Sequence, residues 1–163
     1  MLYLTSSPAV YRRLQTEIDD AVKQGIVSSP IRHAEAKELP YLRAVIYETL
    51  RIHPPNILLA CKEVPPEGVT LDGMFIPGGT DIAQNSWSMG RNKELYGEDV
   101  DVFRPERWLR EGDDEKREEM ERVTDLMFGY GRWMCPGKQI AFCELNKVIF
   151  EVSYTLFTLA VLT

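Results

Sequence analysis

The chain has 163 residues, 44% of them hydrophobic and 27% charged, with a formal net charge of -6 and a pI near 5.0. That is about one globular domain of ordinary soluble composition, and the acidic balance argues against a nucleic-acid binder, which needs a basic face. Cys61, Cys135 and Cys143 sit at unrelated spacings that make no disulfide framework, and His33 and His53 complete no zinc pattern with them, so a reducing compartment is expected.

The N-terminus lacks a basic region and a long apolar run, so no signal peptide is read there. Ser7-Pro8 signals a helix start, with Ser7 at the cap and Pro8 at the first helical position. Val10, Leu14, Ile18 and Val22 recur every fourth residue and predict an amphipathic helix ending near Gly25. Leu39-Pro40 opens a second helix with an apolar face of Leu42, Val45, Ile46, Thr49 and Leu50, and Pro54-Pro55 ends it.

From 57 to 83 the pattern changes to short β-prone runs, at 57–60, 69–71, 74–76 and 80–83. The turn signals Val64-Pro65-Pro66-Glu67-Gly68 and Ile76-Pro77-Gly78-Gly79 lie between them, and small hairpins fit. Short helical turns are expected around Trp87 and at 93–96. Residues 99–127 read as irregular, with the charge run 110–119 a solvated surface segment. A last helix is expected from about Pro136 past Phe150. The apolar tail 148–163, interrupted by Glu151, reads as buried helix followed by strand, and falls short of the roughly 20 apolar residues of a membrane span. The fold class is mainly α with small β hairpins (α+β).

One stretch carries chemistry. Phe128-Gly129-Tyr130-Gly131-Arg132-Trp133-Met134-Cys135-Pro136-Gly137 places a single cysteine in a glycine-punctuated loop that opens into the last helix. A cysteine that ligates a metal does so as thiolate, which nearby donors or positive potential favour. A helix N-terminus offers both, and the sequence puts Cys135 at the N-cap with Pro136 at the first helical position. Gly129, Gly131 and Gly137 allow sharp turns and close approach to a flat ring. Phe128 is placed to pack beside the sulfur. The alternative is a buried, inert cysteine. Elsewhere, Glu48 and Arg51 are three residues apart on one side of the second helix, off its apolar face. On the residues alone they read as a surface ion pair.

In chain order, Glu48-Thr49-Leu50-Arg51 before Pro54-Pro55, then hairpins, then Phe103-Arg104-Pro105-Glu106-Arg107-Trp108, then Phe-x-x-Gly-x-x-x-Cys-x-Gly at 128–137 closely resemble the C-terminal portion of the cytochrome P-450 fold. The resemblance treats 1–163 as one partial domain. It contains the end of the central helix and the helix after it, the Glu-x-x-Arg helix (38–53), the β hairpins (54–84), the meander (99–131), and the cysteine loop with the last helix (128–152). Residues 131–135 look most like fungal members.

The resemblance implies a haem-thiolate monooxygenase in which Cys135 is the axial ligand of haem b (iron protoporphyrin IX). Phe128, Gly131, Arg132 and Gly137 would be haem contacts, with Lys62 standing where family members often carry a propionate-binding arginine. It implies that Glu48, Arg51 and Arg107 form a buried triad locking 99–127. Ile57, Leu58 and Leu59 would line the substrate pocket, an ordinary buried strand being the alternative. For a full-length relative it implies a small hydrophobic organic substrate, O2, an NADPH-dependent reductase and the cytosolic face of the endoplasmic reticulum membrane. No anchor is read in this chain, which leaves it cytosolic or unassigned. The arginine usual two residues before the cysteine is Trp133 here, with Arg132 one position earlier. Either Arg132 reaches a propionate or the Trp133 indole N–H replaces that bond. The family's catalytic domain is several times longer, and Met1 falls just after its acidic-Thr motif, so the chain is expected to be a fragment. The alternative function is an inactive remnant that binds a partner.

Overall fold

The computed structural model describes residues 2–57, 61–109 and 112–161, with side chains to residue 155. A short helix α1 (Leu2–Thr5) leads into α2 (Pro8–Lys23), which starts at the expected proline, although the Ser7 side chain makes no capping bond. Val10, Leu14, Ile18 and Ala21 form its buried stripe. After α3 (His33–Lys37) comes α4 (Pro40–Ile52), the central element. Its first N–H groups are satisfied from a distance. The Glu17 carboxylate of α2 accepts from Tyr41 N at 2.7 Å and Leu42 N at 2.8 Å, a cap in trans for donors that have no partner inside a helix.

The α3 helix is held by Glu35, whose carboxylate accepts from Ser28 N, Ser28 Oγ and Arg32 N. Those bonds favour the ionised form and lower its pKa from 4.5 to about 2. A depressed carboxyl stabilises the fold above its ordinary pKa, and that contribution is lost as pH falls through the folded value. The gap in thermal unfolding midpoint between the natural chain and Glu35→Gln is therefore expected to be full at about pH 6 and mostly gone by about pH 2.

The expected runs 69–71 and 74–76 form strands with those bounds, and 80–83 contains a third. Strand β1 (Lys62–Glu63) pairs antiparallel with β4 (Asp81–Ile82), and β2 (Val69–Leu71) pairs with β3 (Met74–Ile76). Of the run expected at 57–60, Ile57 lies in a bend, and Leu58, Leu59 and Ala60 are outside the described residues. Two short helices follow as expected, α5 (Ser86–Met89) and α6 (Lys93–Tyr96), both capped by asparagine side chains.

Segment 99–127 is less irregular than its sequence suggests. A 3-10 turn at Pro105–Leu109 packs on α4, and α7 (Asp114–Asp125) forms within the charge-rich stretch. Asp114 and Glu115 in the first turn suit the positive end of the helix dipole. Met120 and Thr124, four apart, are its buried positions. The rest of α7 is mostly solvated, while Arg110 and Glu111 lie outside the described residues.

The last helix, α8 (Lys138–Val161), runs unbroken where a strand was expected. Glu151 does not interrupt it, because its carboxylate is used: Oε1 accepts from Ile31 N at 2.7 Å. No helix among the described residues is long and apolar enough to cross a membrane. One core cluster joins α2, α4 and α8 through Leu14, Ile18, Leu42, Val45, Ile46 and Phe150. A second lies on the other side of α4, where Ala44 and Tyr47 meet Tyr96, Trp108 and Met120. Because both sides of α4 are covered, Glu48 and Arg51 are buried as well as its apolar residues.

Candidate functional site

The structure brings Glu48, Arg51 and Arg107 together. Arg51 forks onto Glu48 through Nε to Oε2 (2.9 Å) and Nη2 to Oε1 (2.8 Å). Arg107 Nε bridges both carboxylate oxygens at 3.1 and 3.0 Å. The three residues are 0%, 1% and 1% exposed, so this is a buried network and not the surface pair that the helix pattern alone suggests. The helical pattern mis-stated the burial because it records only one apolar stripe, whereas α4 is packed on both sides.

Glu48 has further partners that the motif does not reveal. Trp108 Nε1 donates to Oε2 at 2.9 Å, and the Arg104 backbone N–H donates to Oε1 at 2.8 Å. The arginines in turn donate to backbone carbonyls. Arg51 serves Gly90 and Val100, and Arg107 serves Tyr96, Asp99 and Val102. The run 90–102 is mostly without a ladder of its own, and buried carbonyls need partners. The network therefore ties an irregular segment to a regular helix. Asp99 joins at its rim. Burial opposes its ionisation, but Arg107 and Arg104 outweigh this and hold its carboxyl below the usual range. Gly90 permits the close approach, since a Cβ there would collide with the Arg51 carbonyl.

The cysteine loop follows from a 3-10 turn, Leu126–Phe128, and is tightened by another, Gly131–Trp133. Cys135 is solvent-exposed, and its N–H donates to the Phe128 carbonyl at 2.6 Å, closing the loop on itself. The Phe128 ring does its packing against Phe142 of α8, with centroids 5.6 Å apart. The helix begins at Lys138, so Cys135 is three residues before it and not at its N-cap, and Pro136 lies in the intervening turn. The Lys138 N–H reaches back to the Cys135 carbonyl at 3.3 Å. This first tight turn uses the residues that the sequence placed inside the helix.

Gly129 and Gly131 have φ of +79° and +58°, a region open to glycine at little cost. A Cβ at Gly131 would meet nothing within 4 Å, whereas one at Gly137 would sit 3.6 Å from Cys135 Sγ. At Gly129 a Cβ would strike the Trp133 carbonyl. Gly129→Ala is thus expected to displace the loop at a local cost of about 1–3 kcal/mol. Hemin uptake should fall sharply while far-UV circular dichroism stays unchanged.

Beside the loop lies a mainly apolar cleft of about 420 Å3, lined by Lys62, Val64, Pro65, Ile82, Tyr130 and Trp133 among others. Tyr130 and Trp133 are 77% and 60% exposed, and Met134 is also open to solvent. Lys62 Nζ is 5.9 Å and Arg132 Cζ 4.9 Å from the Trp133 ring centroid. The sequence-derived contacts Lys62 and Arg132 are therefore brought to one indole. Ile57, 42% exposed, is not a buried strand residue, and Leu58 and Leu59 fall outside the described residues. No local pattern joins Lys62 to Trp133, and only the resemblance placed Lys62 and the Arg132–Trp133 pair at one cofactor edge.

These residues fit a haem. An accessible thiol, open space before Gly131, an apolar aromatic rim and two adjacent cations suit a flat macrocycle with an iron centre and two carboxylates.

A family model described as Cytochrome P450 matches residues 1–152. The chain is 52% identical over 153 residues to the cytochrome P450 monooxygenase ABA1 of Pyricularia oryzae, covering 93% of this chain and 30% of that protein. It is 51% identical to the cytochrome P450 monooxygenase aba1 of Botryotinia fuckeliana, with the same coverage. Against the cytochrome P450 monooxygenase abl1 of Leptosphaeria maculans it is 50% identical, covering 93% of this chain and 26% of that protein. The chain thus spans less than a third of the length of these curated relatives.

Proposed function

The chain belongs to the cytochrome P450 family, and we propose that it forms the cysteine side of a haem-thiolate monooxygenase site with Cys135 as the axial ligand of haem b. The observation that carries this reading is the loop itself. An accessible cysteine is fixed through its own N–H to the Phe128 carbonyl, in a loop where Gly131 leaves open the space a side chain would fill.

Phe128 anchors the loop to α8 through Phe142. Gly131 and Gly137 admit the ring plane close to the backbone. Arg132 and Lys62 stand at the edge where carboxylates would lie. The Glu48–Arg51–Arg107 network holds segment 90–109 against α4, and Tyr96 Oη, hydrogen-bonded to Met120 and Thr124, ties that segment to α7, which leads into the loop. When bound, the haem supplies the reductive activation of O2 and the transfer of one oxygen atom to a substrate C–H bond. The protein's part is to present the sulfur, exclude rotation of the loop and neutralise charge at its rim.

A small hydrophobic organic substrate, O2 and an NADPH-dependent reductase are the proposed reactants and partner, with Ile57 as a proposed substrate contact. The cytosolic face of the endoplasmic reticulum membrane is the proposed location. A second reading is a catalytically inactive polypeptide that binds a partner. It is favoured by the exposed side chains of Tyr130, Trp133, Met134, Ile140 and Val148, a larger apolar exposure than scattered surface residues need. Titration of the purified chain with hemin, followed by absorbance, separates the two. Saturable uptake at one haem per chain is expected, and a chain that takes up no hemin would sink the haem reading.

A further inference from the structure

The cysteine loop has a neck, and one side chain spans it. Helix α7 ends at Asp125 and α8 begins at Lys138, so the segment that carries Cys135 lies between an acid and a base. Lys138 Nζ meets Asp125 Oδ2 at 2.8 Å, with side chains 21% and 29% exposed. The same ammonium lies 5.9 Å from the Phe128 ring centroid and 6.0 Å from that of Phe142. The Lys138 N–H donates to the Cys135 carbonyl, and the Cys135 N–H donates to the Phe128 carbonyl. Lys138 therefore touches the last residue of α7, the residue that anchors the loop and the cysteine itself.

Asp125 depends on this partner. Its Oδ1 is buried without a hydrogen bond, and Lys138 is its one ion-pair partner among the described residues. A largely buried carboxylate that loses its counter-charge must be rehydrated. A cavity of about 430 Å3, lined by Tyr47, Phe142 and Asn146 as well as the pair, gives water that access. Movement of Asp125 toward water would draw the end of α7 from the start of α8, and the Phe128 carbonyl that fixes Cys135 would go with it. We propose that Lys138 is a positioning residue for the iron-binding sulfur. Its ammonium, held between the Asp125 carboxylate and two aromatic rings, closes the neck and sets where Cys135 stands. This rests on the haem reading of Cys135. The action is by charge, since a carboxylate and ring faces attract a cation and not an apolar chain of equal length.

Hydrogen exchange of the Cys135 amide in the hemin-free full chain, followed by NMR, reads the neck without any haem. Lys138→Met, which keeps the length and removes the charge, should speed that exchange on the order of tenfold. Lys138→Arg should keep it slow. Asp125→Asn should act in the same direction as Lys138→Met, and the double variant should add little to the larger single effect, because both remove one pair. In the hemin-loaded chain, reduced under carbon monoxide, Lys138→Met should lose most of the red-shifted Soret band that thiolate ligation gives. Lys138→Arg should retain it. A lower unfolding midpoint in Lys138→Met with the Cys135 exchange and the band both unchanged overturns the proposal, since the pair then only stabilises the fold. An equal loss in Lys138→Arg overturns it as well. A natural chain without the red-shifted band overturns the haem reading of Cys135, and the exchange contrast then decides the neck by itself.

Discussion

Glu48→Ala is expected to abolish the cooperative unfolding transition of the chain. The substitution removes the carboxylate shared by Arg51 and Arg107, each 1% exposed, which leaves Arg51 buried without a counter-charge and Arg107 with Asp99 alone. Breaking a buried pair by deleting one partner costs about 3–5 kcal/mol. Here Arg51 is orphaned, Arg107 loses one of its two carboxylates, and the Trp108 indole and Arg104 N–H lose their acceptor as well. A loss of this size is a large share of the roughly 5–15 kcal/mol that holds a domain together. The comparison is Lys93→Ala, which breaks a pair with Glu98 whose side chains are 60% and 86% exposed. That exposed pair is worth less than about 1 kcal/mol. Thermal unfolding followed by circular dichroism measures both. A Glu48→Ala midpoint no lower than that of Lys93→Ala would show that the network does not hold the fold.

Cys135→Ala is expected to have the opposite profile, with the fold kept and the ligand lost. Its side chain is exposed, so truncation leaves no core cavity, and the N–H that closes the loop on the Phe128 carbonyl belongs to the backbone. A ligand that binds only the folded state stabilises it by about 2.7 kcal/mol at a hundred times its dissociation constant. For the natural chain, saturating hemin should therefore raise the unfolding midpoint by several degrees. For Cys135→Ala the rise should vanish while the hemin-free midpoint stays the same. Cys61→Ala is the control, because Cys61 is also free and exposed but lies outside the loop. A hemin effect that survives in Cys135→Ala and disappears in Cys61→Ala would move the ligand to the wrong cysteine for this account.

Local signals made much of this molecule legible from its sequence. Pro8 and Pro40 open α2 and α4 where expected, because proline fixes the backbone angle of a first helical turn. Gly129 and Gly131 take the left-handed angles that their spacing suggested. The grouping of Glu48, Arg51 and Arg107 was legible only through the order of motifs, since nothing local joins α4 to residue 107. Properties set by distant neighbours were not legible. The burial of Glu48 depends on what covers both sides of α4. Helix α7 was hidden because nearly all of its residues are charged and only Met120 and Thr124 are buried. The start of α8 was placed too early because Pro136-Gly137 suits either a first helical turn or the tight turn before it. The cluster at Trp133 has no local sequence signal, being made by strand β1 meeting the cysteine loop.

Ligation of the haem iron by the Cys135 sulfur is tested most directly by the absorption spectrum of the hemin-loaded full chain, reduced under carbon monoxide. Thiolate ligation by Cys135 would shift the Soret band of the reduced, carbon monoxide-treated chain far to the red. The account predicts that red-shifted band in the natural chain and its absence in Cys135→Ala. A band at the position of nitrogen-ligated or unligated haem in the natural chain, or a red-shifted band that persists in Cys135→Ala, would contradict it.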